Sequence, residues 1–251
     1  MSDATEPVYM AWARERFGKT APLQSNPART FRSAPENDRH PVLAALPPEV
    51  RLAVYRRGHL RDIAAGDPLS GGNCVLFILT GAVGLFPGDG SGICLGLAGP
   101  GSVINAEELA DAGPRRDMRV LVKGAVLALR APELINILGP DRADRLLIDQ
   151  MLGDRAALDR AVACNALHLA PARLARWLLM LDKAAGGGDI HITQASLAKM
   201  LGIQRTSVNA AARRLQDRGA LRFVRGRVRV LDQAALRAQA CGCSAPLSFH
   251  K

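Results

Sequence analysis

The side chains best suited to bind a ligand lie between positions 193 and 227, where hydroxyl, amide and guanidinium groups recur. An arginine fork can pair with both major-groove acceptors of a guanine, whereas hydroxyl and amide groups can contact bases or phosphates. Arg205 is the strongest candidate for a base contact, because a second short helix should begin there. The residues predicted to contact DNA are Thr193, Gln194, Gln204, Arg205, Thr206, Ser207, Asn209, Arg213, Arg225 and Arg227.

Positive charge is concentrated in the same region. From Ala172 to Val230 there are twelve Lys or Arg against three acidic residues, a local balance of +9, while the whole chain carries +10. Neutralising phosphates releases condensed counterions, which supplies a salt-dependent share of affinity for nucleic acid. Each arginine taken singly could be part of a solvated helix face. The cluster as a whole favours nucleic-acid binding.

Two short helices joined by a turn must position these side chains. Thr193 can cap the first helix, which has one apolar face, and Gly202 should end that helix. The second helix should begin near Gln204 or Arg205. The 3.6-residue period predicts a buried face made of Val208, Ala211, Ala212 and Leu215. The N-terminal part of such a helix can enter the major groove.

A basic hairpin follows the second helix. Residues 221–231 alternate in polarity around Arg225-Gly226-Arg227, as a short two-stranded wing does. Arg225 and Arg227 would position the domain on phosphates, which carry no sequence information. Two helices followed by a hairpin is the order of a winged helix-turn-helix.

At these residues the chain resembles the Crp/Fnr family of bacterial transcription regulators. The resemblance covers residues 41 to 243 and includes ACNALH, ARLARWLLML and ITQASLAKMLGIQRTSV. The positions typical of the family's helix-turn-helix are Thr193, Leu197, Ala198, Leu201, Gly202, Arg205 and Val208. The resemblance implies that Arg205 contacts bases. Thr206 and Ala210 replace a Glu and an Arg often found in the family, so we expect a target sequence different from its best-known ones.

The region before the helices should be a sensor domain. A short helical region is predicted for residues 41–60, with Pro47-Pro48 as a helix start. Apolar runs punctuated by Gly and Pro predict strands at Cys74–Phe86, Ile93–Leu97, Val103–Ile104 and Arg119–Leu129. The resemblance implies a cyclic-nucleotide-binding-like β-roll here, and the predicted fold class is α+β.

Cyclic-nucleotide binding itself is not expected. The nearest phosphate-site candidate is Arg115-Arg116-Asp117-Met118, in which a carboxylate lies beside the phosphate position, and the nearest ribose candidate is Asn105-Ala106-Glu107. We interpret Glu107-Glu108 as exposed surface and Gly99-Pro100-Gly101 as a turn. The effector is then an unknown small molecule or protein, and its binding residues are unknown.

A long helix should link the two domains. Between Pro140 and His168 a discontinuous apolar stripe comprises Leu146, Leu147, Met151, Leu158 and Val162. A homodimer formed through this helix would place two recognition helices on a two-fold DNA site. Gly153 and Asp154 interrupt the seam, and a helix packed only on its own domain is the alternative.

The cysteines and histidines suggest no metal site. The spacing of Cys74, Cys94, Cys164, Cys241 and Cys243 matches no zinc or iron–sulfur pattern, and the five histidines are scattered. The first three cysteines are predicted to be buried thiols, and the last two could oxidise or bind metal. We find no nucleophile elbow, Walker loop or paired-carboxylate motif, so we expect neither an enzyme nor a cofactor.

The sequence predicts five parts: a disordered extension at 1–40, a β-roll at 41–139, a dimerisation helix at 140–168, a winged helix-turn-helix at 169–243 and a tail at 244–251. The expected partners are double-stranded DNA, a second copy of the chain, RNA polymerase and an unknown effector. No signal peptide or run of transmembrane length is recognised, which indicates a cytoplasmic protein. The alternative function is a ligand-sensing or protein-interaction module with a degenerate winged helix.

Overall fold

The computed structural model describes residues 40–110 and 116–243. The predicted N-terminal extension, apart from His40, and the predicted tail lie outside these residues. His40 itself is buried, and its imidazole Nε2 lies 3.2 Å from the carbonyl oxygen of Ser102. The described chain has the predicted mixed α+β fold, with an antiparallel sheet, a long helix and a helix-turn-helix with a small wing sheet.

The antiparallel sheet is built around two long strands. Strand β2 (Cys74–Phe86) pairs with β5 (Asp117–Arg130) along almost its whole length, with irregular register near Thr80. Strand β1 (His59–Ile63) pairs with the other edge of β5. The short strands β3 (Gly96–Ala98) and β4 (Val103–Ile104) both pair with β2. Because β2 is buried at nearly every position, its sequence is one continuous apolar run.

Three helices cover one side of this sheet. They are α1 (Pro41–Ala44), α2 (Pro48–Arg57) and α3 (Ala131–Leu138), each with a proline in its first turn. Proline suits that position, because its fixed φ fits a helix and the first amides have no intrahelical acceptor. The helices share an apolar core with the sheet that contains Leu43, Tyr55, Phe77, Leu127 and Leu134.

The predicted strands are confirmed in outline, but two boundaries were wrong. The predicted helical region extended to residue 60, whereas α2 ends at Arg57 and β1 begins at His59. The apolar run beginning at Ile93 enters the sheet only at Gly96. The backbone before it is engaged elsewhere, since the Cys94 N–H donates to the carbonyl oxygen of Met200 at 2.9 Å.

A long helix, α4 (Pro140–Leu167), follows the sheet. Its first turns bury Ala143 and Leu146 in the core shared by the sheet and α3. Gln150 and Cys164 are buried further along the same helix. Ile148, Met151, Leu152 and Val162 are all more than half exposed. The predicted stripe therefore divides, with Leu146 on the protein side and Met151 and Val162 on the solvent side.

The C-terminal elements are α5 (Ala170–Ala185), β6 (Ile190–His191), α6 (Gln194–Leu201), α7 (Arg205–Asp217), β7 (Leu221–Val224), β8 (Arg227–Val230) and α8 (Gln233–Gln239). The wing sheet has the order β6-β8-β7. The core of this domain continues into side chains of the antiparallel sheet, including Phe86, Leu97 and Leu121. Within the described residues, none of the helices combines the length and apolarity that a bilayer crossing requires.

Candidate nucleic-acid interface

The exposed face of α7 is the centre of the site. The helix begins at Arg205, as predicted, and buries Val208, Ala211, Ala212 and Leu215. These four residues share one side of a 3.6-residue helix, so Arg205, Asn209 and Arg213 lie on the exposed side. Gln204 is the N-cap residue, and the Thr206 hydroxyl lies 3.5 Å from its side-chain oxygen Oε1.

Helix α6 holds α7 in place. The Thr193 Oγ1 accepts a hydrogen bond from the Ser196 N–H at 3.0 Å and so caps α6, as the sequence predicts. Gly202 ends α6 at φ 62°, in the left-handed region where glycine is favoured. The Arg173 Nη2 of α5 donates to the carbonyl oxygen of Leu201 at 2.6 Å. One basic residue of the cluster therefore stabilises the end of a helix and is engaged inside the domain.

The residues predicted to contact DNA all reach the surface. Gln194 and Ser207 are half-buried. The exposed ones are Thr193, Gln204, Arg205, Thr206, Asn209, Arg213, Arg225 and Arg227. Because α6, α7 and the wing belong to one packed domain, these side chains have a fixed scaffold.

The wing is a hairpin with Arg225 and Gly226 at its tip. Both residues have positive φ, 45° and 78°, as a two-residue hairpin turn of the mirror-image type requires. Strand β7 is tied to α7, because the Phe223 N–H donates to the Gln216 Oε1 at 2.8 Å. Arg229 forms an ion pair with Asp189, with the Arg229 Nε 2.6 Å from a carboxylate oxygen. The wing thus exposes Arg225 and Arg227, whereas Arg229, also exposed, is paired with Asp189.

Comparison with known proteins agrees with this geometry. Residues 172–239 match the family model of the Crp-like helix-turn-helix domain. The chain carries a Crp-like helix-turn-helix domain. This match confirms the sequence-based prediction of a Crp-like helix-turn-helix in residues 172–239. No curated protein is similar enough in sequence to be matched to the chain.

Solved structures of Crp/Fnr regulators share the fold over about three quarters of the chain. A regulator from Eubacterium rectale is 15% identical with a TM-score of 0.61, covering 79% of this chain and 97% of its own. FixK2 from Bradyrhizobium japonicum is 18% identical with a TM-score of 0.57, covering 74% and 98%. A regulator from Thermus thermophilus is 21% identical with a TM-score of 0.56, covering 72% and 97%. At these identities the likeness establishes the fold.

The β-roll uses its phosphate-site candidate internally. The Arg116 Nη1 lies 2.7 Å from the Asp154 Oδ2 of α4, and the Gln150 Nε2 donates to the Asp154 Oδ1 at 2.9 Å. Arg115 lies outside the described residues. Asn105, in the ribose candidate, donates through Nδ2 to the carbonyl oxygens of Gly72 and Cys74. Arg116 and Asn105, from the phosphate and ribose candidates, therefore both form contacts within the protein.

The interpretation of Glu107 and Glu108 as exposed surface was wrong. Glu107 is half-buried and Glu108 is buried, because a 3-10 turn at Ala106–Leu109 packs them against the sheet and α4. Glu108 also lines a cleft of about 820 Å³ between the β-roll and the winged helix. The cleft is lined from the roll by Asn105 and Met118, and from the winged helix by Thr193 and Lys199.

The cysteines fall into two groups. Cys74 and Cys94 are buried in the sheet region, and burial raises their pKa values to about 11 and about 12. Their thiols therefore stay protonated and unreactive at neutral pH. Cys164, Cys241 and Cys243 lie together with His168. The sequence analysis did not find this grouping, although Cys164 in the last turn of α4 and His168, the residue after the helix, are only four positions apart.

Proposed function

We propose that the chain is a homodimeric transcriptional regulator that reads a two-fold DNA site with α7 and acts in the cytoplasm. The observation that carries the proposal is the exposed N-terminal half of α7, where Arg205, Thr206 and Asn209 lie opposite a fully buried face. Side chains near the N-terminus of a recognition helix reach base edges in the major groove. Arg205 is assigned the bidentate contact with a guanine.

The remaining polar residues are assigned to positioning. The N-terminus of α6 presents free backbone N–H groups beside Thr193 and Gln194, an arrangement that suits a phosphate. Arg225 at the tip of the wing and Arg227 at the start of β8 are both exposed. Gln204, Ser207 and Arg213 flank Arg205 on α7 and could contact either bases or phosphates.

A second copy of the chain is the proposed partner of α4. Ile148, Met151, Leu152, Leu158 and Val162 form one exposed stripe, 36% to 68% exposed. All five lie within about 120° of one another around the helix, as the apolar residues at the seam of paired helices do. Asp154, which the sequence suggested would interrupt this seam, points to Arg116 on the protein side of the helix. Asp154 therefore does not interrupt the stripe, but Arg155, which is paired with Asp159, lies on the stripe side between Leu152 and Leu158. The exposed apolar residues before and after this ion pair support dimerisation.

We further propose that the β-roll does not bind cyclic nucleotides. A cyclic phosphate at Arg116 would have to displace the Asp154 carboxylate and would leave it buried beside Gln150. The effector remains either a small molecule or a protein, and a small molecule would have room in the cleft between the roll and the winged helix. RNA polymerase remains a proposed partner on the grounds of the regulator class.

Selection from random double-stranded DNA tests the proposal. We expect the wild-type chain to enrich a two-fold motif, and Arg205→Ala to lose about 1–3 kcal/mol of affinity per half-site at one base position. Arg56→Ala, an exposed arginine on α2, is the matched control and should bind like the wild type. Affinity for the motif and for a scrambled duplex is then measured at several salt concentrations.

The alternative function, a sensing or protein-interaction module with a degenerate winged helix, predicts a different outcome. The chain would enrich no motif, and Arg205→Ala would bind every duplex as weakly as the wild type does. That result would overturn sequence-specific regulation as the function.

A further inference from the structure

Four potential metal ligands converge where α4 meets α5. Cys164 lies in the last turn of α4, His168 is the residue immediately after that helix, and Cys241 and Cys243 follow α8. Cys164 and Cys241 are 77 residues apart in the sequence. Nevertheless, one ligand atom from each of the four side chains lies within 4.8 Å of all the others.

The measured distances suit a single tetrahedral ion. The Sγ atoms of Cys164 and Cys241 are 3.6 Å apart, and the Cys243 Sγ lies 3.6 Å from the His168 Nδ1. With Zn–S bonds of about 2.3 Å and Zn–N bonds of about 2.0–2.1 Å, tetrahedral angles separate two sulfurs by about 3.8 Å and a sulfur from a nitrogen by about 3.6 Å. A disulfide requires about 2.05 Å between sulfurs, so the same pair would have to move much closer to form one.

Helix α5 holds the C-terminal ligand segment in position. The Cys241 N–H donates to the carbonyl oxygen of Ala172 at 3.3 Å, and the Arg176 Nη1 donates to the carbonyl oxygen of Cys243 at 3.2 Å. Cys164 and Cys241 are buried, while His168 and Cys243 are half-buried. The site is thus anchored on one side and reachable by an ion on the other.

Charge beside the cluster also suits a metal. Three thiolates and a neutral imidazole around a divalent cation carry a net charge of −1. Arg176 is only 8% exposed, and its Nε has no hydrogen-bond partner in the described part of the chain. This buried guanidinium provides a compensating positive charge next to the cluster, as groups around metal ligands commonly do.

We propose that Cys164, His168, Cys241 and Cys243 form a mononuclear tetrahedral site for a thiophilic divalent cation, with zinc the best match. Occupancy would bind residues 241–243 to the end of α4 and so fix the angle between α4 and the winged helix. This regulatory consequence rests on the proposed function, whereas the metal site does not.

Cobalt(II) titration of the reduced full-length chain tests the site directly. We expect one Co²⁺ per chain, with sulfur-to-cobalt charge-transfer bands and the intense visible bands of four-coordinate cobalt, all of which Zn²⁺ abolishes on displacement. Weak bands typical of six-coordinate cobalt, or no stoichiometric binding, would overturn the proposal. So would a reduced chain that binds no metal and forms a Cys164–Cys241 disulfide on oxidation.

Ligand variants locate the ion. Cys243→Ser and His168→Ala, at half-buried positions, should each weaken Zn²⁺ binding at least about 100-fold, the upper end of the loss from removing a group that only supports a ligand. Cys94→Ala removes a buried thiol outside the cluster and should leave binding unchanged. Cys243→His should recover binding with weaker charge-transfer bands, which separates removal of a ligand from damage to the fold. Undiminished binding in Cys243→Ser and His168→Ala would contradict the assignment.

DNA binding by zinc-loaded and chelator-treated protein tests the regulatory consequence. We expect chelation to weaken binding to the selected motif about 5-fold to 150-fold, the usual range of coupling between sites, and to have no such effect in Cys243→Ser. Equal affinities with and without zinc would overturn the coupling and leave the metal site intact. If neither form binds a specific sequence, the proposed function fails while the cobalt spectrum still reports on the site.

Discussion

The arginines predicted to contact DNA in the winged helix and the phosphate-site arginine of the β-roll have opposite environments. Arg205, Arg225 and Arg227 of the winged helix extend into solvent. Arg116 of the β-roll is drawn inward to within 2.7 Å of Asp154 on α4. An exposed guanidinium can pair with a phosphate or base without first losing another partner, whereas a paired one must leave a carboxylate behind. The exposed arginines of the winged helix can therefore bind an anionic polymer, whereas Arg116 joins the roll to α4.

Disrupting the proposed dimer should produce the largest effect. Val162→Asp places a carboxylate in the exposed apolar stripe of α4, so we expect monomers and a loss of at least about 100-fold in affinity for a two-fold site, because two linked binding events are replaced by one. Light scattering and binding titrations measure both. Ala163 lies about 100° around the helix from Val162, so Ala163→Asp is the matched control. A monomeric variant with undiminished affinity would contradict the proposed dimer.

The wing should contribute affinity without sequence preference. Arg225→Ala is expected to weaken binding to all duplexes alike and to reduce the slope of log affinity against log salt by about 0.9 for each phosphate that is no longer neutralised. Titrations of the selected motif and a scrambled duplex over a range of salt measure the slope, with Arg56→Ala as control. If Arg225→Ala instead relaxed selectivity at one base, the assignment of the wing to phosphates would be wrong.

The smallest predicted effects are on stability, where Arg116 and Arg205 should differ. Arg116→Ala leaves Asp154, only 14% exposed, with Gln150 as its remaining partner, so we expect a loss of about 1 kcal/mol in the free energy of unfolding and a lower Tm. Arg205→Ala should change that free energy by less than about 0.5 kcal/mol. Denaturant titrations of both variants measure the difference. Equal losses would mean that the two arginines do not differ in role.

Local sequence patterns were sufficient to predict the helix-turn-helix and the wing. Thr193 as a cap, Gly202 as a turn and the start of α7 at Arg205 all depend on residues within a few positions of one another. The same reasoning extended the predicted helical region beyond the end of α2. It also missed the pairing of β1 with β5, because that pairing joins His59 to the distant Ala128. A strand whose formation depends on a distant partner is only weakly indicated by its own sequence.

The exposed residues of the winged helix follow from the sequence alone, since a helix of known start and period assigns each side chain to a face. The roles of Arg116 and the cysteine cluster depend on contacts between distant elements. Arg116 is joined to Asp154 across 38 residues, and Cys164 meets Cys241 only because α5 holds the C-terminal segment against the end of α4. Such contacts arise from packing between elements, and spacing along the chain does not encode which elements will pack together.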